Sequence, residues 1–94
     1  MRAAAVVILN LNGRPFLDDC LASLEKSTVP VEIVVADNGS TDASVAYLRE
    51  HYPRVRVVEL GKNWGFADGY NRALAAVDNP WAVMLNNDAT LAPN

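Results

Sequence analysis

Four short apolar runs, Ala4–Leu9, Val31–Ala36, Val55–Leu60 and Trp81–Leu85, punctuate the chain at intervals that leave room for one helix between each pair. The first two are nearly continuous and rich in valine and isoleucine, the pattern of strands buried on both faces. Charged Arg54, Arg56 and Glu59 interrupt the third, which places it nearer a sheet edge. Between the runs the period changes to that of a helix. Pro15 suits a first helical position, and Phe16, Leu17, Cys20, Leu21 and Leu24 form one stripe. Val45, Leu48 and Tyr52 repeat at helical spacing until Pro53 stops them. Phe66, Tyr70, Ala73, Leu74 and Val77 form a third stripe, ended by Asp78-Asn79-Pro80. Strand and helix alternating in this way predict an α/β fold with a parallel sheet of about four strands and three helices, joined by right-handed crossovers.

After the fourth run come Asn86-Asn87-Asp88, a few small residues and the final Pro93-Asn94, with no helical pattern to cover the last strand. That strand is expected to be thinly protected, the domain truncated, and a homodimer formed through the bare edge. Composition agrees with one packed domain: 94 residues, 51% hydrophobic and 20% charged. A formal net charge of −3, with basic residues scattered along the chain, excludes nucleic acid as the main partner. One cysteine, Cys20, offers no internal disulfide, and the N-terminal apolar run lacks a cleavage pattern. A cytoplasmic location is expected, with attachment at the inner face of the membrane left open.

Ligands of an open parallel sheet bind beyond the carboxyl ends of its strands, and every strand here is followed there by a polar cluster. Asn10 and Asn12 follow the first, Asp37-Asn38-Gly39-Ser40 the second, Lys62-Asn63 the third and Asn86-Asn87-Asp88 the fourth. Each cluster also reads as turn chemistry, and Ser40 or Asp42 as a cap of the second helix. Read as chemistry, Asp37 is an acceptor for the imide N–H of uracil or thymine, with Asn38 an adjacent candidate. Asp88 is a ligand for Mg²⁺ or Mn²⁺, hard ions that take oxygen donors and complete their shells with substrate phosphates. Gly61-Lys62-Asn63-Trp64-Gly65-Phe66 is neither a P-loop nor a dinucleotide fingerprint. Gly65 allows a tight strand-to-helix turn near a ligand, Asn63 holds that turn, and Trp64 packs. His51 is a solvated charge at a helix end, and Cys20 belongs to the core.

In order, these clusters resemble the N-terminal half of family-two glycosyltransferases, inverting enzymes of the GT-A fold. The matching stretches are Val6-Val7-Ile8-Leu9-Asn10-Leu11-Asn12-Gly13, Ile33 to Asp42, Asn63 to Ala73 and Met84-Leu85-Asn86-Asn87-Asp88, and together they cover almost the whole chain. The resemblance implies a three-layer parallel sheet of the GT-A (Rossmann-like) type and, over 1–94, the nucleotide-sugar-binding part alone. It implies that Asn10, Asn12, Asp37, Asn38, Asn63 and Gly65 cradle the nucleoside, and that Asp88, with Asn86, binds the metal bridging the diphosphate. Relatives usually carry Asp-x-Asp there, so Asn86 contributes a carbonyl oxygen without charge. Leu11 stands where relatives often stack an aromatic on the base. The wording is similar to the bacterial branch that includes rhamnosyltransferases. It implies a UDP- or dTDP-sugar donor and a glycan or lipid-linked acceptor in cell-surface polysaccharide synthesis. The general base of relatives lies in later sequence, so no catalytic residue is assigned and the 94 residues alone are expected to transfer nothing. The alternatives are the nucleotide-binding module of a nucleotidyltransferase and a receiver-like signalling domain.

Overall fold

A computed structural model describes residues 4–25 and 31–86. Its elements run β1 (Ala4–Asn10), α1 (Arg14–Glu25), β2 (Glu32–Asp37), α2 (Ser44–His51), β3 (Arg56–Glu59), α3 (Phe66–Ala75) and β4 (Trp81–Asn86). All four strands are parallel in the order β3-β2-β1-β4. The chain builds outward from β1 to β3, then crosses the sheet through α3 and lays β4 on the opposite side of β1. The switch point of the topology therefore lies between β1 and β4. Registers set Asn10 beside Asp37, Asp37 beside Glu59 and Leu9 beside Asn86. The polar tips thus share one rim, because parallel strands all end on the same side.

Alternation along the strands separates two cores. Val6 and Ile8 of β1 and Val35 of β2 pack against Leu17, Cys20, Leu21 and Leu24 of α1 and Leu48 of α2. Ala5 and Val7, with Val34 and Ala36, turn to the other face and meet Ala73 of α3. Helices on both faces give three layers, and each fully buried Val, Leu or Ile contributes about 1.5–3 kcal/mol. The α3 side is lined by alanines (Ala5, Ala36 and Ala73), which lets that helix lie close to the sheet.

The two edges differ. β3 carries Arg56 and Glu59, and Glu59 meets Arg49 at 3.0 Å; such exposed pairs add little stability but blunt an edge. β4 carries no charge and exposes Trp81 (71%), Val83 (55%) and Met84 (51%). Two apolar residues depart from the expected stripes. Phe16 lies about 100° round the helix from Leu17, at the stripe's margin, and is exposed. Phe66 is the first residue of α3 and is exposed too. Because α1 begins at Arg14, Pro15 is second in the helix, still within the first turn where its missing N–H has no cost.

Candidate functional site

The end of β1 is fastened to the loop after β2 by side chains. Asn10, fully buried, donates through Nδ2 to Asp37 Oδ1 at 3.0 Å and to Ser40 Oγ at 3.2 Å. Asp37 is 4% exposed; its Oδ2 accepts the Ser40 N–H at 2.9 Å and its Oδ1 the Ser40 hydroxyl at 2.6 Å. Ser40 Oγ also accepts the Asn12 N–H at 2.9 Å, while Asn12 Oδ1 accepts the Thr41 N–H at 2.7 Å. Asn12 has φ 53, a left-handed backbone that asparagine tolerates better than most residues.

Asp42 extends the fastening to the helices. Its Oδ2 accepts the Arg14 N–H at 3.0 Å, and its Oδ1 accepts the Ser44 N–H at 3.1 Å and the Ser44 hydroxyl. One carboxylate thus serves the starts of α1 and α2, where helix dipoles favour negative charge. Burial works to raise its pKa, but the hydrogen bonds from Ser44 and Arg14 outweigh it and hold the pKa below the usual 3.8.

The other side of the same loop grips the turn before α3. Asn38, 2% exposed, accepts the Trp64 N–H at 2.9 Å and donates to the Gly65 carbonyl at 3.0 Å and to Asn63 Oδ1 at 3.4 Å. Asn63 Oδ1 accepts the Gly65 N–H at 2.9 Å, so Asn63 does hold the turn. Gly65 sits at φ 81, ψ −179, a conformation open essentially to glycine alone. Gly39, at φ +87, would place a Cβ 2.7 Å from the Lys62 carbonyl carbon. Trp64 packs as expected: Nε1 donates to the Leu60 carbonyl at 2.8 Å, with Arg72 at 3.3 Å and Lys62 at 4.1 Å over the ring.

Six of the expected site residues, Asn10, Asn12, Asp37, Asn38, Asn63 and Gly65, therefore come together on the rim. A cavity of about 270 Å³ opens beside Asp37, lined also by Gly39, Ser40, Ser44, Glu59 and Gly61. Asn86 ends β4 on the same rim, opposite Leu9. Asp88, and with it the expected approach of Asp88 to Asp37, lies outside the described residues. Among the described residues no three His, Cys, Asp or Glu side chains gather as metal ligands. Sequence reasoning gave Ser40 and Asp42 no role beyond capping, although a hydroxyl three residues after an aspartate is a turn signal that points to the Ser40 bonds. Leu11, in the place of an aromatic, is 41% exposed. No helix among the described residues is long and apolar enough to cross a membrane.

The sequence profile of Glycosyl transferase family 2 matches residues 5–94. An N-acetylglucosaminyl-diphospho-decaprenol L-rhamnosyltransferase of Mycobacterium tuberculosis is 32% identical, over 94% of this chain and 33% of that protein. A solved mannosyltransferase from Pyrobaculum calidifontis, in complex with GDP-Man and Mn²⁺, superposes with a TM-score of 0.83 at 26% identity, covering 98% of this chain and 29% of that one. A glucosyl-3-phosphoglycerate synthase from Mycobacterium tuberculosis, in complex with UDP, superposes at 0.76 with 25% identity, covering 98% of this chain and 35% of that one. The chain thus spans about a third of the length of the rhamnosyltransferase it matches.

Proposed function

The chain belongs to glycosyl transferase family 2, and from that premise we propose that residues 1–94 form the donor-binding part of an inverting glycosyltransferase. Family membership sets aside the nucleotidyltransferase and receiver-like alternatives. In this reading the donor is a UDP- or dTDP-sugar. The acceptor is a hydroxyl of a glycan or lipid-linked chain, used on the cytoplasmic side in building a cell-surface polysaccharide. The relative named for a decaprenol-linked acceptor supports that class.

The observation that carries the reading is the state of Asp37. A carboxylate has about four acceptor sites. Asn10 Nδ2, the Ser40 hydroxyl and the Ser40 N–H take three of them, two on Oδ1 and one on Oδ2. Oδ2 keeps one site for a further donor, and the imide N–H of a uracil or thymine base is such a donor. Asn10 and Ser40 thereby orient the carboxylate before any base arrives, so binding carries little cost of reorganisation. Asn12, Asn63 and Gly65 shape the walls around it.

Transfer is displacement at the anomeric carbon. The acceptor oxygen forms the new bond, the bond to the diphosphate oxygen breaks, and charge grows on the leaving diphosphate through an oxocarbenium-like transition state. Asn86 and Asp88 would hold Mg²⁺ or Mn²⁺: both side chains offer oxygen donors, as hard ions require, and β4 ends at Asn86 on the rim. When bound, that ion supplies neutralising charge for the leaving group. Asp37 serves binding and orientation rather than bond-making. The base that deprotonates the acceptor is assigned to sequence beyond these residues, and the chain alone transfers nothing.

Thermal unfolding with added ligand tests the donor class. UDP and dTDP are expected to raise Tm with concentration, more strongly with Mn²⁺, and GDP to do so less. No response to any nucleoside diphosphate would sink the reading; equal responses to UDP and GDP would remove the base assignment.

A further inference from the structure

Tyr70 stands at the switch point and has no part in the reading above. Just before it, Gly69 presses the α3 backbone against the strand tips: a Cβ there would lie 2.9 Å from Asn38 Nδ2 and 3.0 Å from Leu9 Cδ2. That close approach delivers the next side chain, 6% exposed, to the seam between β1 and β4. The Tyr70 hydroxyl donates to the Leu85 carbonyl of β4 at 3.0 Å, and the Leu9 backbone N–H of β1 lies against the hydroxyl oxygen. The ring of Phe66 meets the Tyr70 ring edge-on at 4.9 Å and 78°, which fixes its tilt and gives the exposed Phe66 a contact.

The placement matters because, beyond its ladder with β1 and the packing of Leu85, few described side chains hold β4. Among the described residues it is an outer strand paired with β1 alone, and Trp81, Val83 and Met84 are exposed. Leu85 directly precedes Asn86, where the expected oxygen donors begin. We propose that Tyr70 is a positioning residue for the diphosphate end of the site: bonded to the Leu85 carbonyl, its hydroxyl fixes the end of β4, and with it the Asn86 backbone, at the rim. The inference rests on the donor-binding reading and adds a residue to it. Tyr70 touches neither nucleotide nor metal; it acts through the strand, as partners behind metal ligands do.

The test is calorimetric titration of UDP, with and without Mn²⁺, into wild type, Tyr70→Phe and Leu74→Ala. Phenylalanine keeps the ring and its Phe66 contact and removes only the hydroxyl. Leu74 lies on the same helix, packed against the core between α3 and the sheet, so its truncation reports general loosening. Tyr70→Phe is expected to bind UDP as wild type does without metal, and to lose about tenfold of the enhancement given by Mn²⁺. Leu74→Ala is expected to lower Tm while keeping the enhancement. Full enhancement in Tyr70→Phe, or an equal loss in Leu74→Ala, would overturn the assignment. Wild type that binds no UDP, or gains nothing from Mn²⁺, would overturn the donor-binding reading and this inference with it.

Discussion

The tips of β1, β2 and β3 are bound to one another by side chains, whereas the end of β4 is held by its ladder with β1 and, from the described side chains, by the Tyr70 hydroxyl. On the first side the six residues from Asp37 to Asp42 reach both neighbouring loops: Asp37, Ser40, Thr41 and Asp42 take the β1–α1 loop, Asn38 and Gly39 the turn before α3. Among the described residues no buried side-chain polar atom there lacks a partner. On the β4 side the surface is apolar, uncharged and open. The difference teaches that the rim from β1 to the turn before α3 is held by its own side chains, whereas the end of β4 leans on its backbone ladder with β1; under the proposed function, the first region would be set before a nucleoside arrives.

Removing the centre of the bound side should have the largest effect. Asp37→Ala removes the acceptor of one Asn10 amide N–H, of the Ser40 N–H and of the Ser40 hydroxyl in a buried place, and is expected to cost about 3 kcal/mol in urea unfolding. A loss near zero would mean that water replaces the carboxylate freely. Gly39→Ala combines a positive φ with a Cβ against the Lys62 backbone and is expected to cost about 2 kcal/mol. Wild-type stability in that variant would show that the turn before α3 yields easily.

Asp42→Asn is smaller and depends on pH. Its folded pKa lies below the ordinary 3.8. The contribution is therefore complete above that value and is lost as pH falls through the folded pKa. The variant is expected to be about 1 kcal/mol less stable at neutral pH, with the gap closing in acid. A gap that persists unchanged below the folded pKa would contradict an ionic role. On the open side, Val83→Lys is expected to leave stability within about 0.5 kcal/mol and to reduce self-association in sedimentation. Identical sedimentation of both proteins would show that the β4 edge takes no part in association.

The elements were legible because Ala4–Leu9 and Val31–Ala36 are nearly continuous apolar runs rich in valine and isoleucine, and because prolines and asparagines mark the ends of the helices. The common rim was legible as well, since it follows from parallel strands. Strand order was not: nothing local to Trp81–Leu85 says that it pairs with β1. Hydrogen-bond partners were equally hidden. Asn38 was expected to face a base, and its amide is engaged on both ends with Asn63, Trp64 and Gly65, a choice fixed by how β2 and α3 approach in space. Phe16 and Phe66 lay on plausible stripes, yet their exposure depends on where each helix starts. Tyr70 read as core, and only the seam it enters gives its hydroxyl a purpose.

Amide spectra of the labelled chain, recorded with UDP and then with trace Mn²⁺, test the donor crevice most directly. UDP should shift the amides of Asn10, Asn12, Ser40 and Gly65, and Mn²⁺ should then broaden those at the ends of β1 and β4 first. Shifts confined to the outer face of α1 and α2, or broadening that spares Leu9 and Leu85, would contradict a nucleotide site at the β1–β4 switch point.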